Sequence, residues 1–298
     1  MSQASVSEAI AEDDAEPEAL SSWVIEPVTQ GLAGSLREFW RYRRLLTFFS
    51  SRSVRSRYEK TTLGIFWLFA RPALPVALNV LVFGAIMGMP SDGLPYTLFI
   101  LVGMTPWMVF QRGLVRVTVS VDSQANLIKK LYFPRLIVPV SSIAPALVDF
   151  ASFVVLTLAL ARVYLIKDGH WYLHAGLPLL LALLAVLILI AMTIAVGLVA
   201  TVFQTRHFEV RYVIGYITQF WMFLTPVVYP MSQIPPSLHW VVYVNPLSAP
   251  VEVFRWSLLG VGTFPVVPFI WSAVVTVVLL GVAVAFFNRS EAATVDDL

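Results

Sequence analysis

Long, nearly uninterrupted apolar blocks constrain this chain more than any other feature of its sequence. Six of them can be bounded, at about 65–89, 95–116, 136–165, 176–203, 212–231 and 265–288. About 20 apolar residues in a helix cover the hydrocarbon core of a bilayer, so blocks of this length predict an all-α integral membrane protein with six transmembrane helices. Composition agrees, because 58% of the residues are hydrophobic and only 13% are charged. A soluble domain carries about twice that charge. The few charges are also unevenly placed. With an even number of spans both termini lie on one side, and 17 of the 20 Lys and Arg residues then share that side, leaving Arg162, Lys167 and Arg255 on the other. Basic residues near span ends stay in the cytoplasm, which predicts a multi-pass protein of the cytoplasmic (inner) membrane with both termini cytoplasmic.

Around the spans the chain divides by composition. Residues 1–34 are small and acidic, lack the basic start and apolar centre of a signal peptide, and read as a disordered cytoplasmic tail. Residues 35–62 form an amphipathic interface or gate helix region. There Tyr42, Leu45, Leu46 and Phe49 recur at helical spacing, while Arg37, Arg41, Arg44, Arg52 and Arg55 gather on another face. Residues 63–289 hold the membrane domain, and 290–298 a cytoplasmic tail. Between the fifth and sixth spans, prolines 230, 235, 236, 246, 250 and 265 break an apolar stretch into pieces too short to cross, which predicts two external re-entrant or interfacial helices.

Catalytic chemistry finds little support. The absence of cysteine excludes thiol catalysis, disulfides and cysteine-ligated zinc. No Gly-Lys dipeptide occurs, so a phosphate-cradling loop with its lysine cannot be built and any ATPase must be another chain. Asp149 is the acid deepest in a predicted span. A charge there costs about 3 kcal/mol, so it should be paired, protonated or turned to the protein interior. His170 and His174 have the i, i+4 spacing of a helical metal site but no accompanying glutamate, and no metal is expected. Gly84 and Gly88 form a small-residue motif suited to helix approach, and Glu252 and Arg255 stand three apart where they could pair on one helical face. Arg71, followed by Pro72 and Pro75, marks a bent start to the first span.

Residues 125–139, ANLIKKLYFPRLIVP, place Lys129, Lys130 and Arg135 among large apolar side chains between two spans, with Tyr132 and Phe133 ahead of Pro134. Such a loop suits a docking surface, in which aromatic anchors fill a cleft and flanking cations orient the contact.

The order of several motifs resembles the membrane subunit of type-two ABC exporters of the polysaccharide, O-antigen and teichoic acid family. They are RSRYEKTTLGIFWLFARP at 55–72, LVGMTPWMVF at 101–110, the loop at 125–139, TPVVYP at 225–230 and NPLSAPVEVFR at 245–255. The resemblance spans about 36–289. It implies a permease without a catalytic site or cofactor of its own, acting as a homodimer with two copies of a separate ATPase that binds ATP and Mg. The implied substrate is an undecaprenyl-linked or similar lipid-linked polysaccharide, with membrane lipids around the protein and no nucleic-acid partner. The coupling helix that meets the ATPase maps onto Asn126, Leu127, Ile128, Lys129, Lys130, Leu131, Tyr132, Phe133, Pro134 and Arg135. The interface helix, ending near Tyr58 and Glu59, would guide a diphosphate headgroup. Sugar rings stack on aromatic faces, which makes Phe66, Trp67, Trp107, Trp221 and Tyr229, with Arg55, Tyr58 and Arg71, candidates for channel and gate. Rival readings are a type-two exporter of drugs or lipids, a polyprenyl-phosphate enzyme and a passive channel. The enzyme would need clustered acids, whereas Asp92, Asp122, Asp168 and Glu209 are scattered.

Overall fold

A computed structural model describes residues 39–58, 66–125 and 133–295, and every regular element among them is helical. Helix α1 (Arg43–Tyr58) is the amphipathic segment. Helix α2 (Phe66–Asn79) carries Pro72 and Pro75 and widens into a π-helical stretch, Val80–Ile86. The long α3 (Tyr96–Thr118) comes next, then the short α4 (Ile137–Ser141) leading into α5 (Ala144–Asp168). Next are α6 (Pro178–Arg206) and α7 (Val210–Leu224). Two short helices, α8 (His239–Val244) and α9 (Ser248–Leu259), precede the last, α10 (Val266–Val295).

Among the described residues, five stretches are long and apolar enough to cross a membrane: Phe66–Ile86, Tyr96–Thr118, Ile137–Asp168, Pro178–Arg206 and Val266–Ser290. The expected span at 212–231 differs. Its helix α7 has 15 residues, about 22 Å at 1.5 Å per residue, and stops at Leu224. The residue before a proline is pushed out of the helical region, and Thr225, ahead of Pro226, is extended at φ −111 and ψ 136. The chain continues as buried, non-helical Thr225, Val227 and Val228. The following helices, α8 and α9, are short, with 6 and 12 residues. Gly260, at φ 67, closes α9 in the left-handed conformation that a side chain would resist.

Helix α3 is the centre of the bundle. In its membrane-length window 83% of residues are buried, against 11% for the first span. Its Ile100, Met104, Trp107, Phe110 and Leu114 form the main core with Phe153 of α5, Leu189 and Met192 of α6, Val227 and Val251. Small residues let α3 and α6 approach: a Cβ added at Gly113 would stand 2.8 Å from the Thr193 methyl, and one at Gly197 would stand 2.7 Å from Val117 Cβ. Gly84 and Gly88 do not act as a pair. Gly84 faces the Tyr96 ring, while Gly88 sits in open space and supplies a turn at φ 61.

Candidate functional site

Helix α1 lies against the bundle through one apolar face. Phe49 is buried with Phe133, Ile137 and Val138, and Tyr42, Leu45 and Leu46 pack beside them. The Phe49 and Phe133 rings lie 5.3 Å apart at 40°. Arg41, Arg44, Arg52 and Arg55 are exposed, as an amphipathic interface helix requires. Of the expected coupling segment, Asn126, Leu127, Ile128, Lys129, Lys130, Leu131 and Tyr132 lie outside the described residues. Phe133 is 7% exposed, so its ring is used inside the chain, whereas Pro134 and Arg135 are half-buried.

Asp149 is buried at 1% exposure in the second turn of α5. The Arg57 and Arg112 guanidiniums each place Nη1 2.9 Å from the same oxygen, Asp149 Oδ2. Arg57 also donates to the Pro145 carbonyl at 3.3 Å, and Arg112 to the Arg71 carbonyl at 3.2 Å. Three elements, α1, α3 and α5, therefore meet at one carboxylate, and Arg112 links α2 to them through the Arg71 carbonyl. Burial of Asp149 is tolerated because it is doubly paired, and two cations against one anion leave the group with one net positive charge. Arg57 and Arg112 were not among the residues singled out from the sequence. Arg57 was legible in principle: it follows Leu46 by 11 residues, close to three full turns, so it shares the apolar face and points inward. Arg112 carries no comparable local signal, because its partner Asp149 lies 37 residues further on.

The expected channel residues fall into separate places. Arg55 lines an open groove of about 570 Å³ between α1 and α5, with Ser50, Ser51, Val54, Ala144, Leu147 and Val148. Tyr58 is the last residue of α1. Phe66 is 60% exposed, its ring is 6.4 Å from that of Trp67, and the Arg71 guanidinium lies 5.9 Å from the same indole. Trp107 has no exposed surface; it packs on Phe110, which in turn packs on Trp221, each pair at 5.5 Å. A ring enclosed on all sides offers no face to a sugar, so in this conformation Trp107 belongs to the core. Trp221 donates to Asn245 Oδ1 at 3.1 Å, which binds the end of α7 to the segment before α9, and Tyr229 donates back to the Phe223 carbonyl at 2.7 Å.

At the far end of the bundle Arg255, 3% exposed, donates through Nη2 to the carbonyls of Pro226 and Val227 at 2.6 and 2.9 Å and sits 4.0 Å from the Phe99 ring centre. Burial lowers its pKa to about 10, partly offset by the Glu252 carboxylate, so it remains a cation at neutral pH. Burial likewise raises the pKa of Glu252, against the pull of Arg255. The two attract through space, but the hydrogen bonds of Arg255 go to carbonyls of the turn that follows α7. His170 and His174 lie in a non-helical connection, so their spacing does not put them on one helical face; the backbone N–H of His174 donates to the Leu258 carbonyl at 2.7 Å. Among the described residues no group of three His, Cys, Asp or Glu is placed to hold a metal.

Residues 44–259 match the family described as ABC-2 type transporter. The chain is 28% identical over 199 residues to the O-antigen export system permease protein RfbA of Myxococcus xanthus, covering 67% of this chain and 73% of that one. It is 24% identical over 251 residues to a protein of the same name from Klebsiella pneumoniae, covering 82% and 91%. The polysialic acid transport protein KpsM of Escherichia coli is 23% identical over 243 residues, covering 81% and 92%.

Proposed function

The chain belongs to the ABC-2 type transporter family, and on that premise we propose that it is the permease of an ATP-driven exporter moving a lipid-linked polysaccharide of the O-antigen, capsule, teichoic acid or galactan type across the cytoplasmic membrane. The observation that carries this reading is the set of relatives named for O-antigen export and polysialic acid transport, matched over two thirds or more of this chain. The permease works as a homodimer with two copies of a separate ATPase, which binds ATP and Mg. The exposed aromatic and aliphatic face of α7, with Tyr216, Phe220 and Phe223, suits a boundary of the pathway or a second copy of the chain.

Force enters through the segment 126–135. Phe133 ties its end to Phe49 of α1, and α3 and α4 flank it, so an ATPase pushing on this loop moves the interface helix and two spans together. The test is co-purification of the tagged chain with its ATPase and ATP hydrolysis in lipid nanodiscs, comparing wild type with a Lys129→Glu, Lys130→Glu variant. A stoichiometric ATPase with the wild type, lost in the variant while the chain stays folded, is the expected result. Equal capture by both, or none by either, would sink the proposal.

A further inference from the structure

Where α1 meets the bundle, two cations compete for one carboxylate oxygen. Arg57 of α1 and Arg112 of α3 both lie 2.9 Å from Asp149 Oδ2. Their other holds differ. Arg112 also grips the Arg71 carbonyl of α2 at 3.2 Å, and Arg57 also donates to the Pro145 carbonyl at 3.3 Å, on the same helix that carries Asp149. Asp149 itself is fixed in α5 and buried.

We propose that Asp149 is a positioning residue of the permease: it sets how the interface helix α1 lies on the spans, and Arg112 tunes that hold by competing with Arg57 for the carboxylate. The physical consequence is a difference in sign. Without the carboxylate, two guanidiniums face each other in a poorly solvated site and repel, which drives α1 outward. Without Arg112, the carboxylate serves Arg57 alone and the repulsion between the two cations is gone, so α1 is held at least as firmly. The role deepens the export reading and rests on it for its meaning, because α1 also carries Phe49, the partner of Phe133 at the end of the proposed coupling segment. A shift of α1 would then reach both the groove beside α5 and the loop that faces the ATPase.

The absence of native cysteines permits a direct test of helix position. Val54 of α1 and Val148 of α5 line the same groove, so Val54→Cys with Val148→Cys, bridged by a short bifunctional thiol reagent, reports how closely the helices approach as cross-link yield in membranes containing the full chain. Added to this pair, Asp149→Asn should lower the yield severalfold and Arg112→Gln should leave it equal or higher. An unchanged yield in Asp149→Asn overturns the proposal. So does a fall of similar size in both variants, the pattern of a residue that merely stabilises the bundle. Because the yield requires neither ATPase nor substrate, a failure of the export reading would leave this pattern intact, and a failure of the pattern would leave ATPase capture untouched.

Discussion

Arg255 shows how a charge is kept inside this protein. Its guanidinium replaces water with the carbonyls of Pro226 and Val227 and the face of Phe99. Gly103 makes room, since a Cβ there would come 2.7 Å from the Val227 oxygen. Glu252, one turn away, is the less comfortable partner, because burial raises its carboxyl above the ordinary 4.5. A folded-state value raised in this way means that folding favours the protonated form: the contribution is full below about 4.5 and is lost as pH rises through the folded value. Above the folded value the ionised side chain is therefore a cost. Glu252→Gln should raise Tm at pH 7 to 8, with the gain vanishing below about pH 4.5; a gain that persisted in acid would contradict this account. The sequence spacing suggested a Glu252–Arg255 pair, and the two do attract. That Arg255 would serve the turn that follows α7 was not legible, because its carbonyls lie 28 and 29 residues away.

At the scale of elements, α1 is the most legible piece. Tyr42, Leu45, Leu46 and Phe49 announce a one-sided helix, and that side is buried. What it is buried against is Phe133, which the docking-loop argument turned outward as a whole. A Phe beside a basic segment reads as an anchor for a partner or as core with equal ease. The contact predicts that Phe49→Ala and Phe133→Ala each release α1, at about 3–5 kcal/mol for a buried ring. Protease cleavage at the exposed Arg41 and Arg44 should accelerate in either variant, and the double variant should lose less than the sum of the two because they share one contact. Additive effects would place the two rings in separate environments. Helix α7 teaches the converse lesson: its apolar block looked long enough to cross, but Pro226 ends the helix after 15 residues.

For the whole molecule, the decisive feature is the central place of α3. Its contact with α6 depends on Gly113 and Gly197, so Gly197→Ala should drive a methyl into Val117 and cost about 1–3 kcal/mol. Thermal unfolding in detergent would register a lower Tm, whereas the same change at Gly281, where the added Cβ meets nothing within 4 Å, should be nearly silent. Equal effects at the two sites would remove the close-packing argument. The sequence by itself determined that this is a helical membrane protein, where five of its six expected spans run, that α1 is amphipathic and that a buried Asp149 needs neutralising. These follow from local hydropathy and the free-energy cost of leaving charge or backbone groups unsatisfied in lipid. Only the tertiary structure decided that α3 occupies the centre, that Trp107 is core, that Phe133 turns inward and that Arg57 and Arg112 share Asp149. Each of these depends on how helices distant in sequence rotate and approach one another, and no local period records that rotation.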